Sequence, residues 1–157
     1  MLDLITDRTL ADAESVKTLT EAIKAGTATE EQVAAYVNEI HKGAYTYRDL
    51  NRVEEAVAFV AGRLQEFGYL SYVPYTKSWG VTDKPNETDF TRYFGNVKTL
   101  RDAIAVWGST PDAPNGVAGF DVEKANALEQ ILIDVDHILT QISQAWFYSG
   151  DLYSAEV

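Results

Sequence analysis

Chemistry in this chain would have to come from two histidines, 24 carboxylates and eighteen aromatic rings, because cysteine is absent. His137 follows Asp134 by three residues, a spacing that sets a carboxylate and an imidazole on one helix face. Di-iron bundles use a comparable acid–His pair twice and add two further carboxylates. His41 follows Asn38, not an acid, at that spacing, so the second half-site is missing and no bound metal is expected. Asp134 and Asp136 could in principle share acid–base work, but among 24 acids such pairs arise by chance. The chain has no nucleophile elbow, no phosphate-cradling glycine loop and no calcium loop. The sequence therefore predicts no catalytic residue and no cofactor, and the chain reads as non-enzymatic.

Aromatic placement is the remaining chemical signal. Tyr69, Tyr72, Tyr75 and Trp79 crowd a segment that also holds Lys77 and no acid. Amphipathic rings with nearby donors suit contact with a glycan, a small anionic ligand, a peptide or a host protein. Tyr72, Tyr75, Lys77 and Trp79 are thus the candidate binding residues. The competing expectation is that the segment folds over the helices and its rings complete the core. Trp79 is expected to be partly exposed, and Trp107 and Trp146, which continue apolar stripes, to be buried.

The elements that would carry these residues are mostly helical. The first helix spans about Asp7–Lys24, with Leu10, Ala13, Val16, Leu19 and Ile23 on one face and Gly26 closing it. The second opens with a Thr29–Gln32 capping box, turns Val33, Tyr36, Val37 and Ile40 inward and closes at Gly43. Thr46–Asp49 caps the third, whose stripe is Leu50, Val53, Val57, Val60, Leu64 and Phe67 before Gly68. The fourth runs from about Thr88 through Phe90, Tyr93, Val97, Leu100, Ile104 and Trp107 to Gly108. The fifth covers Asp121 to about Tyr148, its stripe running from Ala125 to Trp146 and widened by Ile131 and Ile138.

Leu70–Lys77 is rich in β-formers but holds Pro74, which suits an edge strand or extended arm. Ser109–Gly119 reads as a loop. Asn51 is placed to bond the first-turn amides of the third helix, Arg52 to reach an acid on a neighbouring helix. Lys42-Gly43-Ala44 suits a turn where two helices approach closely. The expected fold is an all-α bundle of about five helices in a single domain, residues 1–157. One extended aromatic arm lies between helices three and four.

Composition narrows the function classes. The 157 residues are enough for one domain without disulfides. No apolar run approaches the length of a membrane span, and the first residues lack the pattern of a secretory signal. Residues 1–69 hold seven basic and twelve acidic groups, residues 70–120 five of each, and residues 121–157 one basic and seven acidic. A net charge of −11 argues against binding nucleic acid, and leaves the neutral middle as the place for any anionic partner.

Several runs carry a resemblance: Ile5-Thr6-Asp7-Arg8-Thr9, Lys42-Gly43-Ala44-Tyr45, Asp49-Leu50-Asn51-Arg52-Val53-Glu54 and Thr76-Lys77-Ser78-Trp79. Arg92-Tyr93-Phe94-Gly95-Asn96-Val97, Leu100-Arg101-Asp102-Ala103, Asn126–Leu132 and Ala145-Trp146-Phe147-Tyr148-Ser149-Gly150 extend it over most of the chain. Together they resemble a family of bacteriophage and prophage minor structural, tail-associated proteins from Gram-positive gut bacteria. The resemblance implies a role in virion assembly or attachment, in the virion or the host bacterial cytoplasm. It also implies other phage structural proteins or a second copy as partners. Ile133 and Phe147 fall off the main stripe of the last helix, and an oligomer would cover them.

Overall fold

The structure is a computed structural model that describes residues 2–38 and 41–154, with side-chain surroundings through Trp146. Among the described residues five helices follow in order: α1 (Leu10–Ala25), α2 (Glu30–Asn38), α3 (Tyr47–Glu66), α4 (Glu87–Asp102) and α5 (Val122–Ser154). No strand occurs among the described residues. The chain forms the expected all-α bundle, and residues 70–80 are the extended arm between α3 and α4.

Reciprocal caps set the helix starts. Thr9 with Asp12, Thr46 with Asp49, and Asn86 with Asp89 each satisfy orphan amides of a first turn. Thr29 and Gln32 do the same for α2. Because Thr9 occupies the cap, α1 begins at Leu10 and not at Asp7, which leaves residues 2–9 as an extended strap.

The core lies between α3, α4 and α5. Leu50, Val53, Val57, Val60 and Leu64 meet Tyr93, Phe94, Val97 and Leu100, and both sets meet Leu128, Ile131, Leu132, Val135 and Leu139. Truncating any one of the buried leucines to alanine would cost about 2–5 kcal/mol. Arg52 bonds Glu129 and Arg63 bonds Asp136, so α3 and α5 run in the same direction.

Some expectations fail for geometric reasons. α1 and α2 pair with each other and bury no residue, so Val33, Tyr36 and Val37 are exposed, not inward. Two helices of 16 and 9 residues are too small to enclose a core of their own. Ile40 lies outside the described residues. α4 stops at Asp102, capped by Ala103, so Ile104 and Trp107 sit in the following loop. Arg101 holds that loop back by bonding the Pro111 carbonyl and Asp112.

The tryptophans are reversed from expectation: Trp79 is 4% exposed, Trp107 37% and Trp146 62%. α5, at 33 residues, is about 50 Å long against about 30 Å for the 20-residue α3. Trp146 lies near its far end, its ring 5.7 Å from that of Phe67.

Candidate functional site

The arm leaves α3 at Gly68, whose φ of +79° supplies the left-handed turn that a side chain would strain. The amides of Tyr69 and Leu70 both bond back to the Leu64 carbonyl, which fixes the exit angle. Pro74 is buried, and the Tyr75 carbonyl accepts from Arg92 (3.2 Å) and from Asn96 of α4 (2.8 Å).

At the far end Trp79 is pinned. Asn51 donates to the Trp79 carbonyl (2.9 Å) and accepts its amide (2.7 Å), and the indole N–H donates to Glu54 (3.3 Å). Asn51 therefore anchors the arm and does not serve the first-turn amides of α3. Glu54 is itself clamped by both terminal nitrogens of Arg92, at 2.5 and 3.0 Å. Lys77 places its ammonium 4.0 Å over the Trp79 ring and bonds Asp89, a cation–π contact worth about 0.5–2 kcal/mol.

The four candidate residues thus divide. Tyr72 and Tyr75 point to solvent, 56% and 71% exposed, with Tyr69 and Val73 exposed beside them in sequence. Trp79 belongs to the core and is corrected from contact surface to anchor. Lys77 is engaged by its two neighbours.

A second polar constellation lies beneath the strap. Arg8 enters the bundle between Asp49 (3.0 Å) and Glu129 (2.6 Å), and Arg52 bonds Asp49 (2.5 Å) and Glu129 (2.8 and 3.0 Å). Arg52 thus reaches an acid on a neighbouring helix, as its position suggests. Two guanidiniums and two carboxylates form a neutral quartet. Burial pushes the Asp49 carboxyl up, but the Thr46 amide and the guanidiniums of Arg52 and Arg8 outweigh it and hold the group below its ordinary value. Beside the quartet the Tyr45 and Tyr93 hydroxyls bond each other at 2.6 Å, and burial raises both phenols above their ordinary value.

These groups are arranged to cancel one another. Buried Asp134 accepts from Thr110 and Gln130, Asp136 pairs with Arg63, and His137 rests edge-on against Trp107. No set of three metal-ligating side chains gathers among the described residues. Arg8, Glu54, Arg92 and Glu129 escape a reading by motif. The available signal is a charged residue in phase with an apolar stripe: Glu129 lies four after buried Ala125, and Glu54 beside Val53. No helix among the described residues is long and apolar enough to cross a membrane. The chain matches no family model, no curated protein and no solved structure.

Proposed function

We propose that this chain is a non-enzymatic phage or prophage structural protein that acts in virion assembly or attachment by presenting its aromatic arm to a partner protein. One observation carries the interaction role. The arm is fixed at both ends by hydrogen bonds, to Leu64 at one and to Asn51 and Glu54 at the other, while Tyr72 and Tyr75 face solvent between them. A backbone already fixed at both ends has little entropy left to lose on binding, which favours recognition. The pairing of the arm's cation, Lys77, with Asp89 and Trp79 favours a protein contact over a small anionic ligand.

The phage context rests on the resemblance of the Asp49–Glu54, Arg92–Val97 and Ala145–Gly150 runs. Prophage induction in the host strain, followed by mass spectrometry of density-banded particles, tests it. The expected result is the chain in particles at fixed stoichiometry, lost in a Tyr72→Ala/Tyr75→Ala variant that remains folded. Absence of the wild-type chain from particles refutes the reading. A homo-oligomer covering the outer side of α5 would show in light scattering and dissociate on Ile133→Lys.

A further inference from the structure

The strap and the α1–α2 hairpin are joined to the bundle in an unusual way. Neither helix buries a residue. Leu2 and Leu4 pack against the core, but the specific attachment is concentrated around Arg8. The Ile5 backbone amide donates to Glu129 (2.5 Å), the Arg8 backbone amide to Asn126 Oδ1 (3.1 Å), and Asn126 Nδ2 returns a bond to the Arg8 carbonyl (2.9 Å). The Arg8 guanidinium then enters the quartet. Among the described residues α2 adds one long bond, from Arg48 to the Asn38 carbonyl at 3.4 Å.

The seam beyond this point is poorly filled. A half-open cleft of about 270 Å³ lies between Leu10 and Ala13 of α1 and Phe120, Val122 and Ala125 around the start of α5. Arg8 Nε, though buried, has no hydrogen-bond partner in the protein, a defect that costs about 1–3 kcal/mol. Few buried apolar contacts and an underpacked seam are the marks of a segment that opens below the global unfolding energy.

We propose that the strap (residues 2–9) and the α1–α2 hairpin form one arm that opens as a unit from a folded α3–α5 bundle, with Arg8 between Asp49 and Glu129 as its latch. Opening requires Arg8 to withdraw. Arg52 remains bonded to both carboxylates, so the three charges left in the bundle stay in mutual contact, with one negative charge unbalanced. The helices of the arm travel with the strap because Thr9, the α1 cap, follows Arg8 directly. At the other end Gly43 lies against the Asp12 backbone and holds the returning turn to α1.

Hydrogen exchange on the full chain, resolved by NMR, tests this. In the wild-type protein the amides of Ile5, Arg8 and α1 should exchange as one group, at least tenfold faster than those of Val53–Leu64. In Arg8→Met the arm amides should approach the rates of unstructured peptide, while Val53–Leu64 stay at least a hundredfold protected. Three outcomes overturn the proposal. The wild-type arm could share the protection of α3, Ile5 and Arg8 could stay with the bundle while α1 exchanges alone, or Arg8→Met could strip protection from both parts. If Arg8→Met does not fold, the wild-type grouping alone decides.

Discussion

Glu129→Gln isolates the charge of the quartet from its shape. Glu129 is fully buried and accepts four bonds: Ile5 and Arg52 Nε on one oxygen, Arg8 and Arg52 Nη2 on the other. Glutamine has the same outline but one acceptor oxygen. Whichever way the amide turns, its NH₂ faces two donors, so two bonds are lost and Asp49 alone opposes two guanidiniums. Bonds to charged groups are worth about 1.5–3 kcal/mol each, and breaking a buried ion pair costs about 3–5 kcal/mol. The two routes agree on a loss of about 3–5 kcal/mol, a large part of the 5–15 kcal/mol typical of a domain. At about 2–4 °C per kcal/mol for this size, Tm should fall by about 6–20 °C. Urea and thermal melts followed by far-UV circular dichroism measure this, with Lys98→Gln at the exposed Asp102 pair as a control that should barely move. A Glu129→Gln loss under about 1 kcal/mol would show that the quartet is hydrated in solution and refute the reasoning.

Asp49 predicts the acid limb of stability. Its carboxyl is held low in the folded state, so its contribution is complete above the unfolded value near 3.9 and is lost as pH falls through the folded one. Tm should be nearly flat from pH 7 to 5 and drop below about 4, and Asp49→Asn should lower the plateau and flatten that drop. Trp79→Ala should cost about 3–5 kcal/mol, whereas Tyr72→Ala should stay within about 1 kcal/mol of wild type in the same urea melts. In single-tryptophan variants iodide should quench Trp146 and Trp107 well and Trp79 poorly; equal quenching would contradict the anchored arm. Gly43→Ala would drive a methyl group into the Asp12 backbone, so α1 should lose exchange protection at a cost of about 1–3 kcal/mol.

The sequence reveals most where local rules suffice. The caps at Thr29, Thr46 and the Gly26 stop are short-range chemistry, and each is present. The stripe of α3 through Leu64 and that of α5 through Leu139 read correctly because a period of three and four residues leaves one face for the bundle, whereas Trp146 continues the rhythm beyond the core. The same period over α1 and α2 misleads, since periodicity reports an amphipathic face but not whether anything covers it. Ile104 and Trp107 continue the rhythm of α4 past its end because nothing in the pattern registers that Arg101 ties the loop to Pro111. Trp79 is the instructive error. Its neighbours Gly80 and Pro74 suggest an open arm, whereas its burial is decided by Asn51 and Glu54, 28 and 25 residues away.

Those long-range pairs also shape the outer surface. Arg8, Arg52, Arg63 and Arg92 turn inward to Asp49, Glu129, Asp136 and Glu54, so cations are withdrawn from the exterior along with an equal number of acids. The exterior keeps the net −11 with fewer positive groups to offset it. The arm carries no unmatched charge, since Lys77 is matched by Asp89 and its exposed side chains are Tyr72, Tyr75, Val73 and two serines. A protein approaching an acidic face must meet uncompensated acids, whereas at the arm it displaces water from apolar and phenolic surface. Association through Tyr72 and Tyr75 should therefore gain from apolar burial and depend weakly on ionic strength. Binding at the acidic faces would respond steeply to salt, which separates the two surfaces experimentally.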